Sequence, residues 1–375
     1  MARSLNKSKI HKIKLFNFRN YSKLEFSPEK STVLIYGANG IGKTNLLESI
    51  SLLVPGRGIR GATLQEIGMD SSEKSWKVIA EASGDFGKFD LEVRRGVEGD
   101  QSNKEFLFDG VKLKTQNKIL ENISVSWLAP QMDQIFLEGN SYKKRFFDGI
   151  ISGFVKNHSS SLAKYSYLIK ERLNIIRKSQ YDKKWVEIIE RKISETYLII
   201  AEARISFCEY LNNIIENIDI KLPKAKVVFD GEVEKEIGQI SALKLEDKIC
   251  EILQHTRDID RASGRTNASI HRSDLIVYDS ARNVNAKQCS TGEQKSLLVS
   301  IFLGEIYSHM NWHNRVPIIL LDDIMSHLDA QKRAIIFDAI KVLDAQTFIT
   351  AVDADTSESD ADIQRVSIEK GSLIN

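Results

Sequence analysis

Cysteine, long apolar runs and an excess of charge of either sign are all scarce in this chain. Three cysteines occur in 375 residues, Cys208, Cys250 and Cys289, far apart and without the spacing of a disulfide framework or a zinc site. They read as small buried residues, and a reducing cytoplasm fits that usage. No stretch of about 18 uncharged apolar residues is present, so no membrane-spanning segment is expected. The first residues are basic but lack the apolar run and small-residue cleavage site of a secretory signal. Lys12 to Phe18 reads instead as a strand leading into the first domain. The 53 Lys and Arg nearly balance 51 Asp and Glu, for a formal net charge of +2. Any grip on nucleic acid must therefore come from local patches.

What is present is a full complement of core-forming residues, 42% hydrophobic against 28% charged, enough for two domains. The segment 9–54 alternates strands and turns, then enters an apolar-periodic helix, Gly42 to Val54, that stops at Pro55-Gly56. Residues 75–128 hold four short candidate strands, Trp76–Ala82, Phe89–Arg95, Glu105–Phe108 and Ser124–Trp127, and read as an antiparallel region. Trp185, Ile188, Ile189, Ile193, Tyr197, Ile200, Arg204, Phe207, Leu211 and Ile214 recur at helical steps, which predicts one long amphipathic helix. Its expected partner is the helix at 159–178.

Two segments carry chemistry. Gly37, Ala38, Asn39, Gly40, Ile41, Gly42, Lys43 and Thr44 match G-x-x-x-x-G-K-[ST] in full, between an apolar strand and a helix. Glycines let successive backbone N–H groups turn inward on an anion, and the helix start adds partial positive charge. Lys43 is assigned to the terminal phosphates of ATP, Thr44 to Mg2+. Near the other end, Pro317 to Leu321 is an apolar strand that closes on Asp322 and Asp323. That is the form of a Walker B strand: Asp322 is the expected magnesium carboxylate, Asp323 the general base or polariser of water. Between the two, Ser290, Thr291, Gly292, Glu293 and Gln294 open a helix. Ser290 and Glu293 make a capping box, which alone would start that helix. The same N-terminus can also receive a phosphate held by a second subunit.

The order of these elements resembles the ABC-type and SMC-like ATPases. Closer matches point to the bacterial RecF family: Phe18 to Tyr21, Gly37 to Asn45, Gly56 to Arg60, Trp127 to Asp133, Lys143 to Asp148, His271 to Asp274, Ser290 to Lys295, and Asp322-Asp323. The resemblance implies an α/β fold, an ABC-type ATPase head with a mixed sheet around a P-loop core, an antiparallel β region and a helical arm. The implied division is head at 1–138, arm at 139–265, head again at 266–375. It further implies that Asn39 and Asn45 join the ATP site and that Gln131 is a Q-loop residue serving metal and water. Ser290 and its neighbours to Gln294 would cross to a partner's ATP, and Asp329, after Ser326 and His327, would shape the dimer seam. An ATP-dependent homodimer on DNA, duplex or junctional, with RecR and RecO as partners in gap repair, is the implied biology.

Three departures matter. Residue 58 is glycine where the family usually has serine, which predicts a looser loop. Phe348 to Ala351 lies where many ABC proteins carry a switch histidine, and no histidine follows His327. Asp323 is a methylene shorter than the glutamate of transporters. The last two predict slow turnover.

Residues 141–185 hold eleven Lys or Arg against Asp148, Glu171 and Asp182. This charge, with Lys143, Lys144, Arg145, Arg172 and Lys178 as the chosen contacts, is the expected DNA patch. Lys7, Lys9, Lys12 and Lys14 form a second basic set. Tyr165, Tyr167 and Tyr181 are candidates for base stacking, Tyr165 being the better core residue. The ATP-binding subunit of a membrane transporter is the rival reading, and a purely structural SMC-like tether a third. The helical segment is unnecessary for the first and too short for the second.

Overall fold

The computed structural model describes residues 5–69, 75–95, 104–178, 180–266, 273–324, 328–353, 362–369 and 372–374. The chain divides into two compact units, one built from 1–135, 217–224 and 290–375, the other from 136–216 and 225–289.

Strand composition sorts the sheets of the first unit. Thr32–Tyr36, Ile318–Leu321 and Thr347–Ala351 are mostly apolar and buried at consecutive positions, hence on both faces, the pattern a parallel sheet requires. They lie in a six-stranded sheet ordered 372–374, 363–369, 32–36, 347–351, 318–321, 125–128. All neighbours in it run parallel except the pair formed by 363–369 and 372–374. The second sheet is antiparallel, ordered 21–26, 9–18, 77–84, 87–95, 104–108, 111–112, and its strands alternate buried with exposed positions. Strict alternation would put Ile10 and Ile13 on opposite faces. A bulge between Ile10 and Lys12 resets the pleat, and both are fully buried.

The sequence reading of 75–128 as wholly antiparallel needs one correction. Val125–Leu128 pairs in parallel with Ile318–Leu321 and forms the edge of the other sheet. Lys104 also has an unforeseen part: its ammonium donates to the carbonyls of Leu52, Val54 and Gly56, just beyond the phosphate-loop helix.

The second unit is organised around one helix of 35 residues, Lys183–Asn217. Ile189, Ile193, Tyr197, Ile200, Arg204, Phe207 and Leu211 are buried along one face. Trp185 and Ile188, read from the sequence as the start of that stripe, are instead 46% and 47% exposed. Arg172 meets Glu190 and Tyr165 meets Tyr197, so the helix His158–Ile176 runs antiparallel to the long one. Ala242–His255 contributes Leu245, Ile249 and Leu253 to the same core. Ala225–Asp230 pairs antiparallel with Asp274–Asp279, so residues 274–289 cluster with this unit, whereas the sequence division assigned them to the head.

Candidate nucleotide site

A parallel sheet brings the carboxyl ends of its strands to one edge, where α/β folds place their ligands. Here that edge receives the loop after Tyr36, the acids after Leu321, Thr350 near the end of its strand, and the turn after Leu128. Residues 278 positions apart in sequence thereby meet: the Thr44 hydroxyl donates to Asp322 Oδ1 at 2.9 Å. The sequence pairing of the two motifs is thus met in space. Lys43 Nζ donates to the carbonyls of Gly37 and Ala38, at 2.5 and 3.0 Å, which folds the loop over its own ammonium. Burial lowers the pKa of Lys43, and the charges of Asp323 and Asp322 oppose that shift.

The loop is braced from behind by the turn Phe18 to Tyr21. Asn20 donates to the Ile41 carbonyl at 2.8 Å and accepts from Asn45 at 2.7 Å, while Arg60 donates to Asn45 Oδ1 at 2.8 Å. Tyr21 donates its hydroxyl to the Gly42 carbonyl at 3.0 Å. Gly42 has φ of 120°, and a Cβ there would fall 2.6 Å from the Asn20 amide nitrogen. Only glycine fits that close approach. Asn45 therefore ties the loop to Asn20 and Arg60. Gly58 is also packed tightly: a Cβ would lie 2.7 Å from Ser51 Oγ, and Ser51 Oγ itself accepts from the Ile59 N–H.

Gln131 is exposed and donates to the Ile59 carbonyl at 3.2 Å, in the loop that carries Arg60. Asp323 takes a left-handed backbone, φ of 47°. Its N–H donates to Thr350 Oγ1, and Thr350 in turn donates to Asp322 Oδ1, both at 2.8 Å. Sequence reasoning missed Thr350; its only signal was a second threonine near the end of a short buried strand that also begins on Thr347.

Ser290 caps the helix Thr291–His313 through the reciprocal capping box with Glu293. Ser290, Thr291 and Gly292 are exposed, and the space above Gly292 is open. Gln294 corrects the sequence assignment: at 4% exposure it belongs to the interior of its own chain and is not available to a second copy. Glu293 is half-buried and its carboxylate is spent on the cap. Lys295 pairs with Asp133 at 3.0 Å, tying this helix to the turn that holds Gln131. Asp329 is exposed and caps the helix Ala330–Leu343, accepting from the Lys332 N–H at 3.0 Å. The side chain of Lys332, first among the causes, holds its carboxyl below the usual range. Ser326, His327, His271 and Arg272 lie outside the described residues.

The basic patch needs a larger correction. Lys143 is buried and donates to Asp274 and to the Leu275 carbonyl. Arg172 is fully buried, with Glu190, Asp260 and the Leu253 carbonyl around its guanidinium. Both are structural ions, not DNA contacts. Lys144 is half-buried on the Ser273 carbonyl, and burial lowers its pKa. Arg145 and Lys178 are exposed, as are Lys164, Lys170 and Tyr167. In the N-terminal set, Lys7 pairs with Asp344, Lys12 with Glu25 and Lys14 with Glu81, which neutralises most of it.

Fold and site together define an ABC-type ATPase head of the kind found in SMC proteins. The RecF/RecN/SMC N-terminal domain model matches residues 9–375. Proteins named DNA replication and repair protein RecF are similar across most of their length. One from Rickettsia bellii is 33% identical over 92% of this chain and 94% of its own, and one from Rickettsia prowazekii is 34% identical over 93% and 96%. The chain belongs to the RecF family. Among solved structures, that of the recombination mediator protein RecF with ATP in the RecFOR pathway superposes with a TM-score of 0.84 at 25% identity. It covers 100% of this chain and 99% of the other. A Pyrococcus furiosus Smc head shares the fold, with a TM-score of 0.50 at 15% identity over 98% of this chain and 95% of the other.

Proposed function

We propose that the protein is an ATP-dependent DNA-binding protein of replication and recombinational gap repair, closing as an ATP-sandwich dimer on DNA and hydrolysing ATP slowly. The observation that carries the ATPase half is the Thr44–Asp322 contact at the carboxyl edge of the sheet, beside Lys43. Gly37 to Asn45 cradle the triphosphate, and Lys43 leaves the loop carbonyls for its terminal phosphates. A hydroxyl and a carboxylate already in contact are a fitting donor pair for Mg2+, which takes oxygen ligands and completes its shell with phosphate and water. Among the described residues no cluster of three or more His, Cys, Asp or Glu could hold a metal alone. A bound magnesium ion would screen charge on the transferring phosphoryl group. Asp323, oriented by its left-handed turn, polarises the attacking water, and Gln131 joins it when the loop at Ile59 releases its amide.

The exposed start of the helix at Ser290, Thr291 and Gly292 supports the dimer: it offers the partial positive end of the helix to a second copy's phosphates, toward which the Ser290 hydroxyl would turn from Glu293. Asp329, exposed at its own helix start, stands at the seam. Exposed cations of the second unit, among them Arg145, Lys164, Lys170 and Lys178, hold duplex or junctional DNA by its phosphates. RecO and RecR are the partners in this reading, consistent with relatives described in the RecFOR pathway. The cytoplasm is the proposed compartment, as expected for a protein that works on DNA in replication and repair. Family membership speaks against the transporter subunit. Hydrolysis assayed with duplex DNA, gapped DNA and lipid vesicles tests the proposal. Stimulation by DNA alone is expected, and stimulation by vesicles alone would overturn it. Turnover faster than about 10 per second would contradict the slow latch.

A further inference from the structure

We infer that Thr350 is a positioning residue for hydrolysis, setting both strand-end acids through one hydroxyl. The inference rests on the ATPase reading above and adds a residue to it.

Thr350 is 1% exposed, and its oxygen sits between the two consecutive acids that follow the strand Ile318–Leu321. It donates its proton to Asp322 Oδ1 and accepts the backbone N–H of Asp323, each at 2.8 Å. The directions are fixed: an ionised carboxylate can only accept and an amide N–H can only donate. Asp322 Oδ1 thus receives two hydroxyls, from Thr350 and from Thr44. The arrangement places Asp322 by opposed contacts from the phosphate loop and from the Thr347–Ala351 strand, which lies between the two motif strands.

The amide contact matters as much. Asp323 has a positive φ, an uncommon conformation for a residue with a side chain, which persists only where the surroundings hold it. The N–H bond to Thr350 is such a restraint, and it sets the direction in which the Asp323 side chain leaves the backbone. Valine has nearly the shape of threonine but offers neither the donor nor the acceptor. Serine offers both.

Thr350 is assigned no contact with phosphate or water. Its removal should spare nucleotide binding and impair the step that needs both acids in register. For Thr350→Val the expected result is unchanged affinity for a fluorescent ATP analogue, with kcat lower by about 10-fold or more and a higher magnesium concentration for half-maximal rate. Thr350→Ser should restore kcat to within about threefold of the parent, a loss well under one tenfold step. A readout independent of turnover is amide hydrogen exchange in the nucleotide-free protein, where the peptide containing Asp323 should exchange faster in Thr350→Val and be protected again in Thr350→Ser. Parental kcat in Thr350→Val, or equal losses in the valine and serine variants, would overturn the inference while leaving the ATPase reading intact. Failure of the unsubstituted chain to bind the analogue would overturn the ATPase reading, and this inference with it.

Discussion

The guanidinium of Arg19 grips both carboxylate oxygens of Glu48, at 2.8 and 2.6 Å, with Glu48 completely buried in the phosphate-loop helix. The pair joins that helix to the Phe18–Tyr21 turn, which reaches forward to Ile41 and Gly42. Arg60 stands 3.6 Å from the same carboxylate. Breaking a buried pair leaves an uncompensated charge and typically costs about 3–5 kcal/mol. Arg19→Ala should therefore lower stability by about 3 kcal/mol or more in chemical denaturation. Nucleotide affinity should fall with it, because the brace behind the loop goes too. Full stability in Arg19→Ala would show that Arg60 alone compensates.

Glu305 supplies a pH dependence. Burial in the helix Thr291–His313 pushes its pKa up to about 8, only partly offset by the Ser126 hydroxyl, which donates to it at 3.0 Å. The ordinary value is 4.5, so the folded chain holds this proton more tightly than the unfolded chain. The associated stability is complete below that ordinary value and disappears as pH rises through about 8. Glu305→Gln should remove this component. Melting temperatures of parent and variant should lie close near pH 4.5 and diverge progressively as pH rises to about 8, with the variant higher.

In the second unit the proposed DNA contacts are distinct from the buried ions that hold the fold. Charge reversal at Lys164, Lys170 and Lys178 together should leave the melting temperature nearly unchanged. It should weaken DNA binding and reduce the slope of log affinity against log salt by about 3, roughly one for each phosphate that no longer meets a lysine. Arg172→Met should do the reverse, destabilising the unit by about 3 kcal/mol because buried Asp260 loses the Arg172 guanidinium, while Glu190 keeps Arg257. An unchanged salt slope in the triple variant would move the DNA surface elsewhere.

The site was legible in the sequence where chemistry is local. Eight consecutive residues define the phosphate loop, and an apolar strand ending in Asp322 and Asp323 announces its own use. Thr32–Tyr36 and Ile318–Leu321 were legible as strands from their apolar runs, though their orientation was not. Partners distant in the chain were not. Lys143 and Arg172 looked like members of a basic run because nothing in 141–185 reveals Asp274 or Asp260, which bury them. Val125–Leu128 is too short to declare an orientation, and Ile318–Leu321 chooses it. Thr350 was invisible for the same reason: a hydroxyl becomes a positioning group only when a fold sets two acids beside it. Gln294 failed by the period of its helix, which turns it inward two residues after the exposed Gly292.

The proposed mechanism requires two copies to hold nucleotide between them, each offering the helix start at Ser290 to the other's triphosphate. Light scattering of the full chain with and without ATP, alongside Lys43→Ala and Ser290→Arg, measures this directly. The expected mass doubles on adding ATP to the parent and stays that of one chain of 42.5 kDa in both variants. A parent that binds ATP yet keeps the single-chain mass, or a Ser290→Arg variant that still doubles, would contradict the shared site.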